Sequence, residues 1–100
     1  MKMLRGEDIL GRIGGEEFAI VARRISLANA LAFAERLRKA VAAIAFDGAR
    51  RTLEVTVSIG VAELAEVPVA ADSGAKLLEL ADKRLYLAKN SGRNRVVFED

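Results

Sequence analysis

The chain of 100 residues has no cysteine, no histidine and no tryptophan, and it has a single proline. The first two absences exclude disulfides, thiol chemistry, the usual zinc ligands and histidine acting as an acid or base. Any catalysis must therefore use carboxylates, lysine or arginine, backbone amides or a bound metal ion. Two carboxylates that hold a hard metal ion are the leading option.

Long hydrophobic segments are also missing. No apolar run approaches the roughly 18 residues that indicate a membrane helix, and residues 1–10 lack the apolar core of a signal peptide. We therefore expect a cytoplasmic protein with no membrane partner in this segment. The 16 basic and 14 acidic residues give a net charge of +2, which is too balanced to indicate a nucleic acid as the partner.

Hydrophobic patterning predicts one α+β domain with the order strand, strand, helix, strand, helix and a short last strand. The first two strands, Ile9–Ile13 and Phe18–Ala22, are separated by two glycines and two acids, a pattern typical of a tight β-hairpin. Ser26 should cap the first helix, which apolar residues at spacings of three and four extend to about residue 47.

The second half of the chain predicts a long strand and a second helix. Apolar and polar residues alternate over residues 53–62, which places one apolar row against the core and a polar row on the other side. The second helix should begin after Asp72 or Ser73 and end at Gly92, and residues 95–98 predict the last strand. The helices should cover one or both faces of a mainly antiparallel sheet.

The run from Gly14 to Glu17 carries the clearest chemical signal. Gly14 and Gly15 permit a turn with positive φ and let a ligand approach the main chain, so that backbone amides become available to phosphate oxygens. Glu16 and Glu17 follow, but neighbouring strand residues point to opposite faces, so one of them is the expected metal ligand. The alternative, judged from these residues alone, is a surface hairpin with a solvated acidic tip.

Two further pairs of charged residues suggest binding sites. Lys89 and Arg93 lie four apart across the end of the second helix and could point towards one anion. The alternative is a solvated basic end that suits the helix dipole. Arg5 and Asp8 lie upstream of the hairpin, and their alternative is a local ion pair near the N-terminus.

Three separated blocks carry a resemblance to a known family. They are GGEEF at residues 14–18, VTVSIGV at residues 55–61, and ADKRLYLAK with GRNR within residues 81–95. Together, and in this order, they resemble the GGDEF domain of diguanylate cyclases. The resemblance extends from about residue 5 to residue 98, and the glutamate at the third position of the signature is an accepted variant.

The resemblance implies a nucleotide-cyclase, palm-like fold with a ferredoxin-like antiparallel sheet, a β-hairpin and two main helices. It implies condensation of two GTP molecules into cyclic di-GMP, with Mg²⁺ as cofactor and one GTP in each half of a homodimer. Glu16 would bind Mg²⁺ and help to activate the attacking 3'-hydroxyl, and Glu17 would lie in the same metal and phosphate environment. The two preceding glycines would lie close to the substrate, and Lys89 and Arg93 would contact the triphosphate.

The same resemblance implies a second site, for the product. Arg5 and Asp8 fit the Arg-x-x-Asp pattern that precedes the signature in many diguanylate cyclases, and they would bind cyclic di-GMP as an inhibitor. Arg36 on the first helix resembles the further arginine that often completes this site. Its alternative is an ordinary solvated helix residue.

The resemblance is incomplete at the N-terminal side, so that residues 1–100 match only part of a GGDEF domain. Residues 1–8 cannot contain the family's first strand with its metal-binding aspartate, nor the helices that recognise guanine. We therefore expect no appreciable cyclase activity from this chain alone. The rival functions are a regulatory module that binds cyclic di-GMP and a non-catalytic assembly fragment.

The absent strand also has a structural consequence. In this family it lies between the hairpin and the strand that corresponds to residues 53–64, so its loss leaves two interior edges open. The sheet should pair these edges directly, recruit a strand from another copy, or aggregate. We expect a dimer or higher oligomer with strands paired between copies.

Overall fold

The structure is a computed structural model that describes residues 9–14, 18–22, 25–43, 46–47, 52–53 and 56–100. Its elements, in chain order, are β1 (Ile9–Ile13), β2 (Phe18–Ala22), α1 (Leu27–Ala42), β3 (Phe46–Asp47), β4 (Thr52–Leu53), β5 (Ile59–Glu63), a 3₁₀ turn (Leu64–Glu66), α2 (Ser73–Asn90) and β6 (Val96–Val97). This order confirms the predicted α+β class.

A four-stranded sheet forms the centre, with strand order β2-β1-β5-β6. β1 is antiparallel to both of its neighbours, and β5 is parallel to β6. The predicted hairpin is confirmed, since β1 and β2 pair from Ile13 opposite Phe18 to Ile9 opposite Ala22. The last short strand is confirmed as well.

β1 closes the sheet within one chain. It pairs with β2 on one side and with β5 on the other, where Ile9 faces Glu63 and Ile13 faces Ile59. Direct pairing is one of the three outcomes expected for the interior edges, and it satisfies their backbone groups without a second copy. Pairing of strands between copies therefore stays a prediction, now for the outer edges.

The long strand expected over residues 53–62 is wrong. β4 pairs with β3 in a separate two-stranded ribbon, residues 56–58 are not in a strand, and β5 begins only at Ile59. The first helix is also shorter than expected: it ends at Ala42, and Phe46–Asp47 form β3 instead.

The expected polar row along β5 is wrong for a different reason. Residues 59–62 are all buried, because α1 covers one face of the sheet and α2 covers the other. The small residues of the supposed polar row, Ser58, Gly60 and Ala62, are the ones that allow a second helix to approach. A Cβ on Gly60 would collide with the carbonyl oxygen of Ala81 on α2.

The two helices begin and end by recognisable local signals. Ser26 caps α1, and its hydroxyl accepts a hydrogen bond of 3.1 Å from the N–H of Asn29, as predicted. Asp72 is the cap residue of α2 but makes no capping bond through its side chain, whereas the Ser73 hydroxyl bonds to the Pro68 carbonyl at 2.8 Å.

Candidate functional site

Gly14 and Lys89 meet at one corner of the sheet. Gly14 follows β1 directly and is buried, and its N–H donates to the carbonyl oxygen of Ser58 at 3.0 Å. A Cβ on Gly14 would collide with Cε of Lys89 and would lie 3.0 Å from its Nζ. The lysine side chain therefore crosses the bare backbone of Gly14, and a larger residue there would push the flexible end of the lysine aside.

This contact changes the reason for the glycine. We expected the glycines to provide positive φ, but among the described residues Gly92 is the one glycine with positive φ. At Gly14 the absence of a side chain instead lets the lysine approach the backbone closely. Gly15, Glu16 and Glu17, expected at the same turn, lie outside the described residues.

The loop after α2 carries the second predicted cation. α2 ends at Asn90, Gly92 has a φ of 131°, and the N–H of Arg93 donates to the carbonyl of Ala88 at 2.9 Å. This is the Schellman arrangement that ends many helices, and it confirms Gly92 as the stop. Arg93 is exposed and lies beyond the helix, so helical spacing does not place it beside Lys89.

Ser58 joins the glycine turn to this loop. Its carbonyl accepts from the N–H of Gly14, and its hydroxyl accepts from the N–H of Asn94 at 3.2 Å. Ser58 is 5% exposed, so both bonds are shielded from water. Sequence reasoning placed Ser58 in a polar row and missed this role, although it belongs to the VTVSIGV block.

A second arginine supports the loop from the other side. Nη1 of Arg38 on α1 donates to Oδ1 of Asn94 at 2.8 Å, and its Nε donates to Oε1 of Glu35 at 2.6 Å. This hydrogen bond lowers the pKa of Glu35. Arg38 was not among the predicted site residues, because the charged face of a helix gives no signal of its partner in sequence.

Arg36 lies on the exposed side of α1, away from this corner. Its guanidinium carbon is 5.9 Å from the ring centre of Phe33, an exposed aromatic residue. The stacking is a cation–π contact. Arg5 and Asp8, its predicted partners, lie outside the described residues.

Arg84 is a buried cation that belongs to the fold and not to this corner. Its guanidinium makes two hydrogen bonds to Glu66, of 2.6 and 2.8 Å, and one of 3.0 Å to the carbonyl of Val61. Asp100 adds a further bond of 3.0 Å. The pKa of Glu66 is lowered, chiefly by its hydrogen bond with Arg84, while burial acts in the opposite direction.

The described part of the chain offers no complete metal site by itself. No group of three or more aspartate, glutamate, histidine or cysteine side chains is placed there to hold a metal ion. In the same part, no helix is long and apolar enough to cross a membrane.

Sequence comparison finds one family. The family model for the diguanylate cyclase GGDEF domain matches residues 1–95. The chain is 42% identical to diguanylate cyclase A of Treponema denticola over 94 residues, which are 92% of this chain and 24% of that protein. It is 44% identical to the response regulator PleD of Caulobacter vibrioides over 96 residues, 94% of this chain and 20% of that protein. The chain thus spans a fifth to a quarter of these relatives.

Solved structures give the same result. The diguanylate cyclase SiaD of Pseudomonas aeruginosa, solved with its activator SiaC, is similar with a TM-score of 0.72 and 35% identity over 96% of this chain and 35% of that one. The GGDEF domain of DgcB from Caulobacter crescentus, solved with c-di-GMP, gives 0.70 and 33% identity over 85% of this chain and 48% of that one. By sequence and by fold, the chain belongs to the GGDEF domain family of diguanylate cyclases.

Proposed function

We propose that this chain is the part of a diguanylate cyclase domain that binds the phosphates of GTP, at the corner where Lys89 meets Gly14. The contact between these two residues is the observation that supports the proposal. It brings a cation against the first glycine of the GGEEF run, the turn at which the family resemblance places the substrate phosphates.

Electrostatics supports the same corner. Lys89 and Arg93 supply positive charge near the buried Ser58, which holds the backbones of Gly14 and Asn94. Cations fixed before the substrate arrives stabilise phosphate oxygens without a further cost of reorganisation. Arg38 adds to this field from α1, although Glu35 partly neutralises it.

The reaction we propose is the condensation of two GTP molecules across a homodimer. The 3'-hydroxyl of each GTP forms a bond to the α-phosphorus of the other, the bond to the leaving pyrophosphate breaks, and cyclic di-GMP results after two such steps. Mg²⁺ held by Glu16, with Glu17 in the same environment, would supply charge neutralisation at the phosphates and would favour the ionised hydroxyl. The residues of the corner bind and orient the triphosphate.

GTP binding is tested by calorimetry with Lys89→Met and a matched control. We expect Lys89→Met to weaken Mg²⁺·GTP binding by about ten- to hundredfold, the effect of losing a charge-assisted hydrogen bond. Lys76→Met, which removes the same charge from the first turns of α2 where Lys76 pairs with Asp72 at 3.7 Å, should change affinity little. Equal losses in the two variants would contradict the proposal.

Activity of residues 1–100 alone is a separate prediction. The chain has neither the further carboxylate nor the guanine-recognising residues that the family resemblance implies for a complete domain. We therefore expect no appreciable cyclic di-GMP from pure protein, GTP and Mg²⁺. Product detected by chromatography would contradict this prediction and would leave the binding proposal intact.

A second candidate function is binding of cyclic di-GMP by Arg5, Asp8 and Arg36. The exposed Arg36 stacked on Phe33 favours it, because a guanidinium plane can pair with phosphate or stack on a base. Arg5→Ala and Arg36→Ala should then abolish dinucleotide binding, whereas Glu16→Ala should leave it intact. Lys39→Ala on the same helix is the matched control. An equal loss of dinucleotide binding in Lys39→Ala would show that only the positive charge of the helix matters. If the chain binds neither GTP nor cyclic di-GMP, a non-catalytic assembly fragment is the remaining candidate.

Assembly is tested by light scattering. Within the described part of the chain, β2 and β6 are the outer strands of the sheet, and an outer strand can pair with a second copy. We propose a homodimer or higher oligomer formed through such an edge. A monomer at high protein concentration would contradict this.

A further inference from the structure

An ion pair joins β1 to α2 close to the corner described above. Nε of Arg12 donates to Oδ1 of Asp82 at 2.6 Å, and the two side chains are 15% and 46% exposed. Arg12 lies two residues before Gly14, and Asp82 lies seven residues before Lys89. The pair thus joins the same two elements as the contact between Gly14 and Lys89.

The ion pair and the contact between Gly14 and Lys89 lie side by side between β1 and α2. Residues two apart on a strand share a face, so Arg12 and the residue after β1 both face α2. Residues seven apart on a helix are almost two full turns apart and project from the same side. Leu85 lies between them on that stripe, 3.2 Å from the position of a Cβ on Gly14.

We infer that Arg12 and Asp82 are positioning residues that hold Lys89 over Gly14 and so set the affinity of this corner for a triphosphate. The inference rests on the proposed function for the ligand, but its claim about Lys89 stands on geometry alone. A lysine side chain has many rotamers, and it keeps one position only when its surroundings are fixed. The ion pair helps to fix them, because it ties β1 directly to α2 on the side that carries Leu85 and Lys89.

Because Asp82 is negatively charged, its replacement should change the affinity for an anion in opposite directions under the two explanations, charge attraction and positioning. Asp82→Asn makes the protein more positive by one charge, so Coulomb attraction alone predicts tighter binding of an anion. Positioning predicts the opposite, because the ion pair between Arg12 and Asp82 is lost and Lys89 loses its fixed place. A variant that gains positive charge and loses affinity for an anion separates the two explanations.

The binding experiment uses the full chain with inorganic triphosphate as the probe, measured by calorimetry. Asp82→Asn should weaken binding about fivefold, the scale of a displaced binding group. Asp72→Asn is the matched control: it removes the same charge from the other end of α2, where Asp72 pairs with Lys76, and it should leave affinity unchanged or slightly raised. Tighter binding by Asp82→Asn, or equal changes in the two variants, would overturn the inference.

A second measurement reports on Lys89 without any ligand. Lysines are labelled by reductive methylation with ¹³C, and the signal of Lys89 is assigned from its loss in Lys89→Arg. In wild type its chemical shift should differ from that of a free lysine, in Asp82→Asn it should move to the free value, and in Asp72→Asn it should stay. An unmoved Lys89 signal in Asp82→Asn would overturn the inference even if triphosphate binding failed altogether.

The reversed pair completes the test. Arg12→Asp combined with Asp82→Arg restores opposite charges at the same two positions. We expect the double variant to regain a large part of the Lys89 shift that Asp82→Asn loses. A double variant as altered as the single one would contradict a role for the pair.

Discussion

The two faces of the central sheet are packed differently, although a helix covers each of them. On the α2 face the helix backbone lies directly against Gly60, and Arg84 is buried with all its partners in place. On the α1 face the buried residues of the helix are alanines flanked by partly buried leucines, and an apolar cavity of about 240 Å³ that opens to solvent remains. The side of the sheet that carries the candidate site is the close-packed one.

Side-chain size explains the difference. β5 presents Gly60 and Ala62 to α2 and the larger Ile59 and Val61 to α1. Small residues allow close approach along the whole contact, whereas large ones hold the helix away where its own side chains are short. A close-packed face transmits small displacements, which suits a site that depends on the position of one lysine.

Substitution of the glycines tests this comparison most strongly. Gly60→Ala should lower the free energy of unfolding by about 3 kcal/mol, because its Cβ would meet backbone atoms of α2 that cannot move aside. Gly11→Ala is the control on the other face, where Gly11 lines the cavity, and it should change stability by less than about 1 kcal/mol. Urea denaturation measures both, and equal losses would refute the packing difference.

Removal of the buried cation should have the next largest effect. Arg84→Met keeps most of the apolar stem but removes the hydrogen bonds that Arg84 donates to Glu66, Asp100 and the carbonyl of Val61. We expect a loss of about 2 kcal/mol, below the value for fully buried pairs because both carboxylates are partly exposed. Arg38→Met on α1, whose partner Glu35 is more exposed, should cost less in the same thermal or urea measurement.

Acid should destabilise the α2 side through the same network. The lowered pKa of Glu66 means that its carboxylate stabilises the fold above the unfolded-state pKa, and this is lost as pH falls through the folded-state value. The free energy of unfolding should therefore decrease below the ordinary pKa of 4.5. The decrease should be smaller in Glu66→Gln than in wild type. If Glu35→Gln reduces this decrease in the free energy of unfolding as much as Glu66→Gln does, the Arg84 network contributes no more to acid sensitivity than the pair of Glu35 and Arg38.

Filling the cavity should give the smallest effect, of opposite sign. Ala34→Leu adds apolar volume where α1 faces the cavity, and leucine has good helix propensity, so we expect a gain of about 1 kcal/mol. Ala81→Leu makes the same change on α2, where Ala81 is fully buried, and it should destabilise. Differential scanning calorimetry that shows the same sign for both variants would contradict the comparison.

Local structure was largely predictable from sequence. The hairpin of β1 and β2, the Ser26 cap and the Gly92 stop depend on residues within one or two turns, and all three are confirmed. The family was also evident, because its three blocks are short runs whose order survives in the chain. The predictions were wrong where one pattern fits two structures. The alternation over residues 53–62 fits a half-exposed strand, but it also fits a strand whose small residues are covered by a second helix.

The sequence by itself determined the hairpin, the cap of α1, the end of α2 and the family, since each depends on neighbours along the chain. Only the tertiary structure decided that β1 pairs with β5, that Ser58 joins two loops, and that Lys89 crosses the backbone of Gly14. These contacts join residues far apart in sequence, and they depend on which face each helix covers. That choice follows from the summed packing of small and large side chains, which no local pattern contains.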